Sequence, residues 1–167
     1  RKGKNLREID IGKVYESLGP KHSEALLGFY VFTGCDQIGR FNGKSKLTCW
    51  NTFLQSDSII LDAFILLGKD NFLENKALVK ALEKFVVDLY VLSKKCPRNI
   101  SSLADARWIL FSKYQFDFHK LPPTESTLFS KILRSHYISK VLKSSNIAIG
   151  DNPDPSNYGW NLTDDGI

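Results

Sequence analysis

The strongest constraint on how this chain can fold is the spacing of apolar residues between positions 75 and 93. Leu78, Leu82, Phe85, Leu89 and Leu92 recur at steps of four, three, four and three, which gathers them on one face of an α-helix. On a strand the odd steps would throw them onto both faces. Lys76, Lys80, Lys84 and Asp88 fall on another face, where Lys84 and Asp88 are placed to pair weakly. A long helix with one apolar stripe must be covered, so the stretch predicts a central helix with Leu82, Phe85 and Leu89 in the core. The rest of the chain can supply the cover: 167 residues, 43% hydrophobic and 25% charged, suit one folded domain.

The flanking segments read mainly as helices too. "LREIDI", residues 6 to 11, reads as a short edge strand near the N-terminus. "IGKVYESLG" reads as a short helix closed by Gly19. Pro20 then suits the first position of the next helix, where its missing N–H would be unpaired anyway. Leu26, Leu27, Phe29, Tyr30 and Phe32 make that helix apolar on most sides, so burial is expected. "KSKLTCWNTFL" is helical and amphipathic, and a buried helix around Ile59 to Leu67 stops at Gly68. Ser102, three residues before Asp105, predicts a capped helix start. "LPPT" breaks the chain before a long helix from about Thr124 to Lys143. Residues 1–145 thus form one helical unit. Residues 146–167, rich in Pro, Gly, Asn and Asp, read as an extended tail or linker with Tyr158 and Trp160 as anchors.

Charge and cysteine usage narrow the partners. The net charge is +5, but residues 1–150 hold all 23 bases against 14 acids, a net of +9. Such a balance favours polyanions, DNA or RNA among them. Cys35, Cys49 and Cys96 have neither disulfide-framework nor zinc-site spacing, which fits a reducing, intracellular setting, nuclear if nucleic acid is the partner. No run is long and apolar enough to span a bilayer, so no membrane partner is expected. No signal-peptide pattern opens the chain, so the sequons at Asn99 and Asn161 read as chance. A start at Arg1 and the absence of Met suggest a piece of a longer protein.

The segment that bears on chemistry is "TGCDQIGRFNGKSKLTCW", residues 33 to 50. A buried helix ending in this way delivers Asp36 to a helix terminus beside glycines that permit close backbone approach. "NGKSK" then leads into a helix start, where free N–H groups and the helix dipole attract phosphate. Arg40, Gly43, Lys44, Ser45 and Lys46 are the residues placed to hold a nucleic-acid backbone, and Asp36 the one placed to hold a metal. On spacing alone a plainer reading is favoured, in which Asp36 caps the next turn and the lysines are solvated.

"FYVFTGCDQIGRFNGKSKLTCW" resembles the part of flap-endonuclease-like, or PIN-like, nucleases where a helix ends in a Gly-Cys/Ser-Asp motif and enters a helix–two-turn–helix segment. The resemblance implies the helical portion of an α/β nuclease domain and a DNA or RNA partner. It further implies metal-dependent phosphodiester hydrolysis in the intact protein, with Asp36 as one ligand of Mg²⁺ or Mn²⁺. The family turn reads Gly-x-Gly-x-Lys-x-Ala; here Ser45 stands for the second glycine, Leu47 for the lysine and Cys49 for the alanine. The family's other metal-binding acids lie on strands that would precede Arg1, in a missing N-terminal part of the same domain. The alternative is an inactive version of the fold that binds protein or nucleic acid. "REIDIGKVYESLGP", "GFYVFTGCD", "LPPT" and the Tyr-Gly-Trp at 158 to 160 also resemble a group of uncharacterised, multi-copy animal proteins, which extends the likeness over nearly the whole chain but implies no activity.

Other candidates are weaker. His22, His119 and His136 lack metal-ligand spacing with the cysteines, and nothing marks Cys35 as a nucleophile. Arg107 to Lys143 contains seven Lys/Arg, yet Lys131 and Lys140 fall roughly opposite one another on a helix, so these bases are expected to be solvated. Trp50, Trp108 and Trp160 read as packing residues.

Overall fold

The structure, a computed structural model, describes residues 8–91, 100, 102–113, 117–147 and 153–160. Leu92, Cys96, the sequon asparagines Asn99 and Asn161 and the first two residues of "LREIDI" lie outside that set. Among the described residues there are seven α-helices and no strand: α1 (Ile11–Leu18), α2 (Pro20–Phe32), α3 (Lys46–Leu54), α4 (Ser58–Leu66), α5 (Lys76–Val91), α6 (Leu103–Lys113) and α7 (Glu125–Lys143). None of them is long and apolar enough to cross a membrane.

Local chemistry sets the boundaries. The expected edge strand gives way to a helix start, because the Asp10 carboxylate accepts from Lys13 N–H at 3.1 Å and so caps α1. Gly19, at φ +78°, ends α1, and Pro20 begins α2. Ser45, Asp57 and Thr124 cap α3, α4 and α7 by the same device. Ahead of α6, Ser102 Oγ donates to Asp105 and accepts from the Asp105 N–H, as their spacing predicts.

The core lies where α2, α4 and α5 meet. Gly28 lets α2 approach α4 so closely that an added Cβ would stand 2.1 Å from the Phe64 carbonyl oxygen. Rings from four helices then interlock: Phe29 against Phe53 at 4.4 Å, Phe64 against Phe85 at 5.0 Å, and Phe32 beside Phe64 at 5.9 Å. Leu78, Leu82, Phe85 and Leu89 are buried as expected, and so are Ala81, Val86, Val87 and Tyr90, because α3, α4 and α6 all pack on α5. Lys84 does not turn to Asp88; it pairs with Asp57 at the start of α4. Asp88 sits low enough on the helix that burial raises its carboxyl above the usual range.

α7 packs on α2 and carries residues 153–160 with it. A short 3-10 turn, Pro155–Tyr158, lays the Tyr158 ring against His136 at 5.7 Å and Tyr137 at 5.5 Å. Arg134 Nε donates to the Gly159 carbonyl at 2.8 Å while its guanidinium stacks over Trp160. Tyr158 and Trp160 therefore do serve as anchors. Trp108 departs from the packing role expected of it, being 71% exposed on α6.

Candidate anion-binding cleft beside the glycine loop

The loop from Thr33 to Ser45 is held from within. Gly34, at φ +115°, brings the chain so close to Arg40 that a Cβ there would meet Arg40 Cγ at 2.6 Å. Cys35 and Ile38 exchange backbone hydrogen bonds of 3.1 and 3.2 Å, which puts Asp36 and Gln37 at an exposed tip. Ile38 and Phe41 point inward, and Phe41 meets Phe32 at 5.4 Å. Gly43, at φ +67°, turns the chain toward α3, where Ser45 Oγ accepts from Thr48 N–H at 3.1 Å.

Three lysines fasten this loop, two at its end and one from α7, none of them solvated in the way the sequence leads one to expect. Lys46 Nζ donates to Tyr30 O at 2.9 Å, Thr33 Oγ1 at 2.8 Å and Gly34 O at 2.8 Å. Its ammonium thus closes the C-terminal end of α2, where a positive charge also opposes the helix dipole. Burial there lowers the Lys46 pKa. Lys44 Nζ donates to Leu89 O on α5 at 2.8 Å and lies 4.3 Å from the Tyr90 ring centre. Lys131 of α7 donates to Gly39 O and lies 4.6 Å from the Phe41 ring centre. Burial lowers its pKa to about 8.

Asp36 caps nothing: it is exposed, and no hydrogen bond or ion pair holds it among the described residues. Nor do those residues bring three His, Cys, Asp or Glu side chains together where they could hold a metal ion. A lone carboxylate does not hold Mg²⁺ or Mn²⁺ firmly, since such ions keep their waters unless several charged oxygens converge. The described residues therefore do not by themselves fit a metal centre. Cys49 is buried, which pushes its thiol pKa up and away from thiolate chemistry.

What the fold does assemble is a cleft between the loop and α7, about 560 Å³ in volume. Arg40 enters it from the loop, Lys131 and Arg134 from α7, and Phe41, Tyr90 and Trp160 form apolar wall. Among the described residues no carboxylate lines it. Arg40 was legible in the sequence, but Lys131 and Arg134 were not. They stand more than 80 positions beyond the end of the loop, and their face of α7 has no basic stripe to mark it. Only the docking of α7 against α2 brings Lys131 to Gly39, with Arg134 one turn away on the same helix. Comparison with family models, with curated proteins and with solved structures gives no match for this chain.

Proposed function

We propose that this chain is a helical, nuclease-like unit that contacts nucleic acid through the face where the glycine loop meets α7. The observation that carries the reading is the convergence of Arg40, Lys131 and Arg134 on one cleft that, among the described residues, no carboxylate lines. Guanidinium groups suit phosphate because their N–H donors form a fork that matches two oxygens at once. Lys44 and Lys46 contribute at one remove: by holding Leu89 O and the end of α2 they fix the loop that presents Arg40. Such contacts are sequence-independent and displace counterions, so binding of a polyanion falls steeply as salt rises.

A second reading, metal-dependent phosphodiester hydrolysis in a longer protein, is favoured by one observation. Asp36 is exposed at the loop tip with its oxygens free of partners among the described residues, as a shared metal ligand must be. Further carboxylates would have to come from elsewhere, and this chain alone is expected to cleave neither DNA nor RNA with Mg²⁺ or Mn²⁺.

The test is fluorescence anisotropy with short duplex and single-stranded DNA and RNA over a salt series. The parent should bind with a steep salt dependence, and Arg40→Ala should weaken binding to all sequences and flatten the slope by about one. Arg40→Ala binding like the parent at every salt concentration would remove the cleft as the contact surface.

A further inference from the structure

Deepening that reading, and resting on it, we propose that the cleft is a pocket for a single nucleotide, its phosphate held by Arg40, Lys131 and Arg134 and its base lying against Trp160, the half-exposed ring of a wall in which Phe41 and Tyr90 are buried. The charge on offer calls for an anion. Lys131 gives one ammonium proton to Gly39 O and has two more. Arg134 uses only Nε on Gly159 O, which leaves its terminal nitrogens without an acceptor among the described residues, and the same holds for the whole Arg40 guanidinium. Among the described residues no acid of the cleft neutralises these three cations. Lys131 carries its charge in a half-buried position against a neutral carbonyl and a ring, a costly arrangement that a bound anion would relieve.

The size and walls call for more than a bare phosphate. A volume of about 560 Å³ lies within the range of pockets that enclose small organic ligands. A phosphate group would fill a small part of it and leave the aromatic wall untouched. A planar base has a π-face that stacks on aromatic or guanidinium planes whatever its identity. Phosphate at one end and a flat ring at the other describe a nucleoside monophosphate, either free or at the phosphorylated end of a strand. An acidic peptide would meet the cations but would gain nothing from a flat wall.

Titration of the full chain with adenosine 5′-monophosphate, adenosine and inorganic phosphate, followed by amide and indole N–H resonances in NMR, tests this. The monophosphate should shift the Trp160 indole and the loop amides from Gly39 to Gly43, and should bind at least tenfold tighter than either adenosine or inorganic phosphate. Arg40→Ala, which breaks no hydrogen bond or ion pair among the described residues, should weaken it about tenfold or more while leaving the rest of the spectrum in place. An oligonucleotide with a terminal phosphate that displaces the monophosphate, where its unphosphorylated twin does not, assigns the pocket to strand ends; free nucleotide alone assigns it to a soluble ligand. Inorganic phosphate binding as tightly as the nucleotide would overturn the role of the aromatic wall, and no shift with any of the three would overturn the pocket. If duplex binding survives while the monophosphate fails, this inference falls and the nucleic-acid reading stands. If the monophosphate binds while DNA and RNA do not, the nucleic-acid reading falls.

Discussion

Gly28→Ala puts the packing of α2 on α4 to a test whose sign is informative. At an exposed helix position this change stabilises, because alanine is favoured over glycine by about 1 kcal/mol. Here the new Cβ would stand 2.1 Å from the Phe64 carbonyl oxygen and 2.8 Å from its carbon, where ordinary contact begins at 3.4 Å. The obstacle is backbone in the last turn of α4, so no rotamer change relieves it. The helices must part by about 1 Å, loosening Phe29, Phe64 and Ala25, which are all fully or nearly buried. Overpacking of this kind costs about 3 kcal/mol at the upper end of its usual range. Set against the propensity gain, the net loss is about 2 kcal/mol. Urea unfolding followed by circular dichroism should show the midpoint falling by about 1 M at a slope of about 2 kcal/mol per molar. A variant as stable as the parent, or more stable, would refute the close approach of the two helices.

Three further outcomes follow from the packing and the charges. Phe85→Ala, which removes a ring packed 5.0 Å from Phe64 and 6.2 Å from Phe32, should cost about 3–5 kcal/mol in the same assay, and a loss under about 1 kcal/mol would place α5 at the surface. Lys46→Met should cost about 1–2 kcal/mol and speed hydrogen exchange at the end of α2, because it leaves Tyr30 O and Gly34 O without their donor; unchanged exchange there would show that the ammonium is not the fastening. His136 accepts from Gly68 N–H at 3.1 Å and is stacked on Phe72, and burial first, with Lys140 and Lys143 adding to it against Asp70, lowers its pKa to about 4. The fold therefore holds the neutral ring while the unfolded chain takes up a proton below about 6.5, so its contribution is full above that pH and is lost as pH falls toward 4, to a limit of about 3 kcal/mol; the urea midpoint should drop over that range in the parent and less in His136→Gln, and parallel curves would rule the ring out.

Much of the fold was legible because helix boundaries depend on near neighbours. Gly19 and Pro20, Ser102 with Asp105, and Thr124 after the two prolines act within a few residues of themselves, and each does in the structure what its chemistry predicts. The stripe on α5 was legible for the same reason, a periodicity within one helix. The expected edge strand at "LREIDI" does not form among its described residues, because Asp10 caps a helix there instead. Lys84 was assigned the wrong partner because an acid one turn away can be read from sequence, whereas Asp57 comes beside it only when α4 packs on α5.

The candidate site divides along the same line. Sequence alone determined that a glycine-rich stretch carrying Asp36 and Arg40 lies between two helices, because glycine's conformational freedom is a local property, whereas the cap at Ser45 and the exposure of Asp36 and Arg40 emerged with the structure. Only the tertiary structure decided which cations face outward. Lys44 and Lys46 turn to Leu89 and Tyr30, which packing supplies as bare helix carbonyls. Lys131 reaches Gly39 across 92 positions because α7 lies against α2. A side chain's reach is a few ångströms and its partners are whatever the fold brings within it, so the cleft exists in no segment of the sequence and arises where three of them meet.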